Sequence, residues 1–352
     1  MLSNLKVIDI STVLAGPSVG MFLAELGAQV IKIEHPTNKD VTRSWKNASE
    51  APDSSISSYF SSVNYLKEYI SLDLNQDKDK IIFFEMIKSA DILLSNFKSS
   101  DYEKFGLTKD ILYTHNPRLI HGRVSGFGEN SDRVAYDLIL QAESGFMSIN
   151  GLSNTDPIKM PVALIDVLTA HQLKEGILLA LLERNKTNKG KNVHVSLYKT
   201  AVCSLVNQAS SFLMNGIVPK RIGSLHPSIA PYGEIFETLD NQQVTFAIGS
   251  NLQFNKLVQK LQLSDLSEDI RFNSNQARVK NRFVLAETMQ PRVKLLKVNE
   301  LIEWALENYV PCGHIKNIRE VFEQEDAKKL IRNEVIEGNS TSRTTSIAFE
   351  FT

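Results

Sequence analysis

Asp166 heads a run in which Leu168, Leu173, Ile177, Leu178, Leu181 and Leu182 recur at helical spacing as far as Arg184. A carboxylate at the start of such a helix meets unpaired first-turn amides, which favour its anionic form and can also steady an oxyanion. The same position describes an ordinary N-cap, so the pattern alone leaves both roles open. His171, five residues on, is turned well away from Asp166 on a helix and reads as structural. Cys203 and Cys312 are distant in sequence, match no metal spacing and are expected to be reduced thiols.

The elements that must position these groups are legible around them. Lys6–Ser11 and Gln29–Glu34 are short apolar runs rich in β-branched residues, and between them Val19, Phe22, Leu23 and Leu26 repeat as a helix, giving a strand–helix–strand unit. Its turn reads Leu14-Ala15-Gly16-Pro17-Ser18, without the G-x-G-x-x-G that lets backbone approach a pyrophosphate, so a simple dehydrogenase is disfavoured. Further strands are expected over 69–74, 91–95, 118–124 and 192–197, with helices over 77–89, 167–184 and 200–215. This alternation predicts an α/β fold with a Rossmann-like, doubly wound, largely parallel sheet. In such sheets ligands lie beyond the carboxyl ends of the strands, which favours Asn96 and the loop after Val124 on geometry alone.

Turn formers at 216–219 and 223–227 mark a linker, and a hairpin over 234–238 and 243–248 opens a smaller α+β domain. The expected organisation is a large domain over 1–200, a linker over 201–224, a small domain over 225–309 and a return segment over 310–352. With 352 residues, 42% apolar, two domains can each fill a core. The charges nearly cancel, 39 basic against 40 acidic, so composition points to neither nucleic acid nor membrane as a partner. No apolar run approaches a spanning helix or a secretory leader, and a cytoplasmic location is expected.

The order of motifs resembles the class III CoA-transferases (CaiB/BaiF type), the family of formyl-CoA transferase, carnitine CoA-transferase and the α-methylacyl-CoA racemases. The stretches that carry the resemblance are LKVIDISTVLAGP, LGAQVIKIEHP with DVTR, ISLDL, ADILLSNF, RVSGFGENSDRVAYDLILQAESG, ALIDV, GILLALLERNKTNKGKNVHVSL, HPSIAPYGEIFETLD and VPCGHI. The resemblance implies that Asp166 is the covalent nucleophile, with coenzyme A or acyl-CoA as substrate and no permanently bound cofactor. It places CoA contacts at Leu14, Ala15, His35, Leu72, Asp73, Leu74, Asn75, Asn96, Phe97, Lys98, Lys104, Val134, Ala135, Tyr136 and Asp137, with Arg43 and Arg133 as possible further charges. It brings the loop His226–Tyr232 toward the acyl group, and it implies an interlocked homodimer.

The chain also departs from the family. Ala135-Tyr136-Asp137 stands where the racemase branch has a histidine, which favours CoA transfer over α-epimerisation, with the epimerase and a catalytically impaired CoA-binding homologue as alternatives. Leu66 and Glu68 replace the usual Asn and Arg, and His314 a common Pro. The chain ends at Thr352, short of the family's usual length, so a closing strand and helix are expected to be absent or differently made. The APYGEIFETLD and AIGSNLQF stretches lean toward succinyl-CoA as donor.

Overall fold

Val7, Ile92 and Leu94 on alternate strand positions join one apolar cluster, whereas Ile8, Leu93, Ile31 and Ile33 join another, so the strands bury both faces. In the computed structural model, which describes residues 1–351, they are β1 (Lys6–Asp9), β2 (Gln29–Glu34), β3 (Lys67–Ser71), β4 (Ile92–Ser95), β5 (Ile120–Ser125) and β6 (Asn192–Ser196). All five pairings are parallel and the order is β3-β2-β1-β4-β5-β6, the strand order of the doubly wound nucleotide-binding folds.

The chain's helices up to residue 215 are α1 (Ala15–Glu25), α2 (Ser58–Ser61), α3 (Asp77–Ser89), α4 (Ser99–Phe105), α5 (Lys109–His115), α6 (Asp137–Glu143), α7 (Phe146–Ile149), α8 (Leu164–Thr187), α9 (Leu197–Cys203) and α10 (Val206–Asn215). Phe22 and Leu23 of α1 and Leu173 and Ile177 of α8 fill one face, while Phe83 and Ile87 of α3 and Leu112 of α5 fill the other.

Two compact units emerge. The first comprises Met1–Met147, Lys159–Pro219 and Lys329–Thr352, and the second Ser148–Ile158 and Lys220–Lys328. Within the second, β7 (Tyr232–Glu237), β8 (Gln243–Ala247) and β9 (Cys312–His314) form an antiparallel sheet. It packs on α11 (Asn251–Lys260), α12 (Asn275–Lys280), α13 (Arg282–Val293) and α14 (Val298–Glu307) around Phe236, Phe246, Phe254, Phe272 and Met289. The loop His226–Tyr232 is fastened there by Arg282, whose guanidinium donates to His226 O at 2.7 Å and Ile229 O at 3.2 Å and pairs with Glu234 at 2.8 Å. Residues 331–336 and 339–344 form a hairpin, β10 and β11, within the first unit, where Ile336 packs with Ile56 and Phe60.

The glycines of the opening turn have a packing role. A Cβ on Gly16 would lie 2.3 Å from Ser11 Oγ and 2.4 Å from its Cβ, and one on Gly20 would lie 2.9 Å from Asp9 Oδ2. They let α1 settle onto a buried polar core in which Lys67 Nζ donates to Asp9 Oδ2 at 2.8 Å, Asn64 Oδ1 at 2.8 Å and Pro17 O at 2.9 Å. A buried ammonium with every proton directed at an oxygen escapes the penalty of an unpaired charge. In an ordinary helix Gly→Ala stabilises by about 0.5–1 kcal/mol. Gly16→Ala is expected to reverse that sign, destabilising by about 1–3 kcal/mol through overpacking. Thermal denaturation checks this, and a melting temperature equal to or above that of the parent would reject the packing account.

Candidate active site

The turn between β1 and α1 forms one wall of the site. Val13 sits there at φ 71°, a left-handed conformation costly for a β-branched residue. Two side chains from beyond β4 and β2 hold it. Asn96, just past β4, accepts from Thr12 N at 2.9 Å and donates to Thr12 O at 2.8 Å, and Asp40 accepts from Val13 N at 3.1 Å. Asp40 lies 3.5 Å from the buried Lys32 ammonium, which donates to Ser11 O at 2.7 Å. Asn96 therefore fixes backbone with its side chain as well as lining the site.

The opposite wall is the start of α8. This helix begins at Leu164, three residues earlier than its apolar repeat predicts, so Asp166 is the third helical residue and not the cap. Ala163 occupies the N-cap without a side-chain bond, and the capping acceptor comes from elsewhere. Asp137 Oδ2 accepts from Ile165 N at 2.7 Å and Asp166 N at 3.3 Å. Because this cap is distant in sequence, local pattern could not place the helix start.

Asp166 is only 8% exposed, and among the described residues its carboxylate has no hydrogen-bonding or ion-pairing partner. Burial first, and the Asp137 carboxylate second, push its acid up to about 7. It lines a cavity of about 310 Å³ at the carboxyl ends of β1, β4, β5 and β6. Tyr59 of α2 has its phenol pushed up to about 12 by burial and then by the charges of Asp166, Asp137 and Asp40. Trp45 packs edge-on to Tyr59 with ring centres 5.1 Å apart and reaches Tyr136 at 6.1 Å, which sets aromatic surface beside the carboxylate.

Of the residues expected from the sequence, Ala15, Asn96, Phe97, Lys98, Val134, Ala135 and Tyr136 line this cavity together with Asp166. Leu14 is the N-cap of α1, between the lining residues Val13 and Ala15. His35, Asp73 and Asn75 form a separate cluster past the ends of β2 and β3. There His35 Nε2 lies 3.5 Å from Asp73 Oδ1, which accepts from Asn75 Nδ2 at 2.8 Å. Leu72 and Leu74 are buried in the apolar cluster of the α3 face, and Lys104 is an exposed residue of α4. Asp137 lies against the first turn of α8 as described.

Two charges weighed from sequence are already engaged. Arg43 is buried between Glu34, at 2.6 Å, and Glu337, at 3.2 Å, with its guanidinium 3.9 Å above the Phe60 ring, so it is structural. Arg133 lines the cavity but pairs with Glu143. His171 is exposed and outside the cavity lining, as its displacement from Asp166 implies. Sequence reasoning missed Thr12, Tyr102, Arg123 and His194, all in the lining. The strand-end rule pointed to the loop after Val124 and so to Ser125, but His194, which meets Ser125 Oγ at 2.8 Å, gives no local signal within its strand.

The cavity can therefore present a thioester carbonyl to an unbonded carboxylate, with one cation, Lys98, that has no ion-pair partner among the described residues. The chain belongs to CoA-transferase family III, whose sequence pattern matches residues 2–348. It is similar to the succinate–glutarate CoA-transferase of Agrobacterium fabrum, 33% identical over 327 residues that cover 91% of this chain and 81% of that protein. The human succinyl-CoA:glutarate CoA-transferase is 32% identical over 324 residues, covering 91% of this chain and 73% of the human one. Among solved structures, a CaiB/BaiF family protein from Brucella suis superposes with a TM-score of 0.86 at 32% identity, covering 100% of this chain and 92% of that one. The protein is thus a CoA-transferase that takes acyl-CoA as substrate. No helix among the described residues is long and apolar enough to cross a membrane.

The weakened acidity of Asp166 carries a stability consequence. The folded chain holds this proton more tightly than the unfolded one, so stability falls as pH rises from about 4 to about 7, and above that the cost of the buried charge is complete. Asp166→Asn removes that cost. At pH 8 the variant is expected to be more stable than the parent by about 1–4 kcal/mol, with the difference vanishing near pH 4. Denaturant unfolding at the two pH values measures it, and equal stability at pH 8 would refute the burial account.

Proposed function

We propose that the enzyme moves CoA from succinyl-CoA to a small carboxylic acid through a covalent intermediate on Asp166. The observation that carries this reading is the buried Asp166 carboxylate, unbonded and facing a cavity of about 310 Å³. The relatives whose names specify succinyl-CoA or succinate support the choice of donor. Ala15, Phe97, Lys98 and the Val134–Tyr136 loop are read as contacts along the coenzyme, with His35, Asp73 and Asn75 nearer its nucleotide end.

The chemistry balances without water or an oxidant. An Asp166 oxygen bonds to the thioester carbonyl carbon, the C–S bond breaks, and CoA leaves as a thiolate with its electron pair. That thiolate attacks the Asp166 carbonyl carbon of the mixed anhydride, releasing succinate and leaving CoA on the enzyme as an aspartyl thioester. The acceptor carboxylate then attacks this thioester and expels the thiolate. The thiolate next takes the acceptor's acyl carbon and frees Asp166. Low water access conserves the thioester's free energy.

With succinyl-CoA present, hydroxylamine is expected to leave a hydroxamate on Asp166, located by mass spectrometry of peptides. Asp166→Ala should lower transfer by about 10³-fold or more. Transfer at the parent rate by that variant, or a hydroxamate elsewhere, rejects the intermediate. Because only the carboxylate attacks, acylation should rise with pH through about 7.

We also infer a homodimer of the interlocked kind. In support, α10 and the residues after it leave the apolar side chains of Leu213 78%, Met214 80% and Ile217 65% exposed, surface that a partner chain would cover. Light scattering after size exclusion should give twice the chain mass, and a monomer at micromolar concentration would rule this out.

A further inference from the structure

The nucleophile sits where its own reactivity is most easily quenched. A carboxylate in the first turn of a helix has free amides close by, and bonding to them would stabilise its charge and draw it back toward the backbone. At α8 those amides are taken. The N–H groups of Ile165 and Asp166 both donate to Asp137 Oδ2, and the other oxygen, Oδ1, accepts from Gln141. Gln141 Oε1 in turn accepts from Met160 N at 2.8 Å, which ties the approach to the helix to the same residue pair.

We propose that Asp137 is a positioning residue for the nucleophile and not a contact for the coenzyme: its carboxylate occupies the first-turn amides of α8, leaving the Asp166 carboxylate unbonded and presented to the cavity. The inference rests on the reading of Asp166 as nucleophile. Asp137 is also absent from the cavity lining that holds its neighbours Val134, Ala135 and Tyr136. The negative charge it brings opposes ionisation of Asp166, in the same sense as burial. The other groups facing Asp166 are Tyr59 from α2 and, around the cavity, His194 from β6, Arg123 from β5, and Lys98 and Arg133 from loops. Arg123 and Arg133 are neutralised by Glu129 and Glu143. The first turn of α1 brings no charge, and Lys199 of α9 acts on His194.

The test follows the Asp166 carboxyl directly, by ¹³C NMR of protein labelled at aspartate carboxyl carbons, with the signal assigned by its loss in Asp166→Asn. The parent should titrate near 7. Asp137→Asn keeps an oxygen for the amides and removes the charge, so the Asp166 midpoint should fall by about one pH unit or more. CoA affinity, measured by calorimetry, should stay within about twofold. An unchanged midpoint, or a loss of CoA affinity beyond about tenfold, overturns the proposal. If Asp137→Asn does not fold, Asp137→Ser, an uncharged capping residue, must show the same fall. The titration needs no turnover. A lowered midpoint supports the arrangement even where hydroxylamine traps nothing, and an unchanged one defeats it even where the trap is filled.

Discussion

Two carboxylates meet at one helix start, and they cannot both be satisfied there. Asp137 accepts from the amides, and the carboxylate of Asp166, in the same first helical turn, is left buried with no donor. Such a group is poor at carrying charge in the resting protein, with its acid pushed up to about 7. On the proposed reading of Asp166 as the nucleophile this is useful, since a poorly solvated carboxylate loses little on becoming an ester-like oxygen. The wet, well-bonded carboxylate that sequence pattern favours as an N-cap would be a stable end-piece and a weak nucleophile.

Across the cavity the constraint is the reverse, a complete set of partners. The β1–α1 turn is bent into a conformation that Val13 adopts only at a cost, and Asn96 just past β4, Lys32 within β2 and Asp40 in the loop after β2 fix its backbone. Beneath it Lys67 and Asp9 are fully buried and fully bonded. A wall whose backbone is held by side-chain hydrogen bonds thus faces a buried carboxylate that has none.

Much of this was legible beforehand, for physical reasons. Alternation such as Val7 and Ile8, or Leu93 and Leu94, splits between two apolar clusters because each strand is covered on both faces, and that pattern survives in sequence. Asp166 could be picked out because helix periodicity and motif order coincide there. Contacts set by distant residues were not legible. The true start of α8 depends on Asp137, 29 positions away, and Arg43 is withdrawn from the solvent by Glu337, 294 positions away. The glycines of the opening turn did not fit a dinucleotide phosphate loop, and the need for space at Gly16 and Gly20 is explained by Ser11 and Asp9 beneath the helix, which no spacing rule reports.

The larger unit is stitched from three separate stretches of polypeptide, the last beginning at Lys329, and that stretch pairs β10 with β11, sets Phe349 edge-on to Phe22 and bonds Ser346 to Glu25. During synthesis, the residues that complete this unit emerge from the ribosome after all those of the smaller one. The catalytic framework is thus the later of the two to have its full complement of chain. Until then its Rossmann-like sheet lacks the edge contact that Phe349 gives Phe22 and the hydrogen bonds that Ser346 gives Glu25.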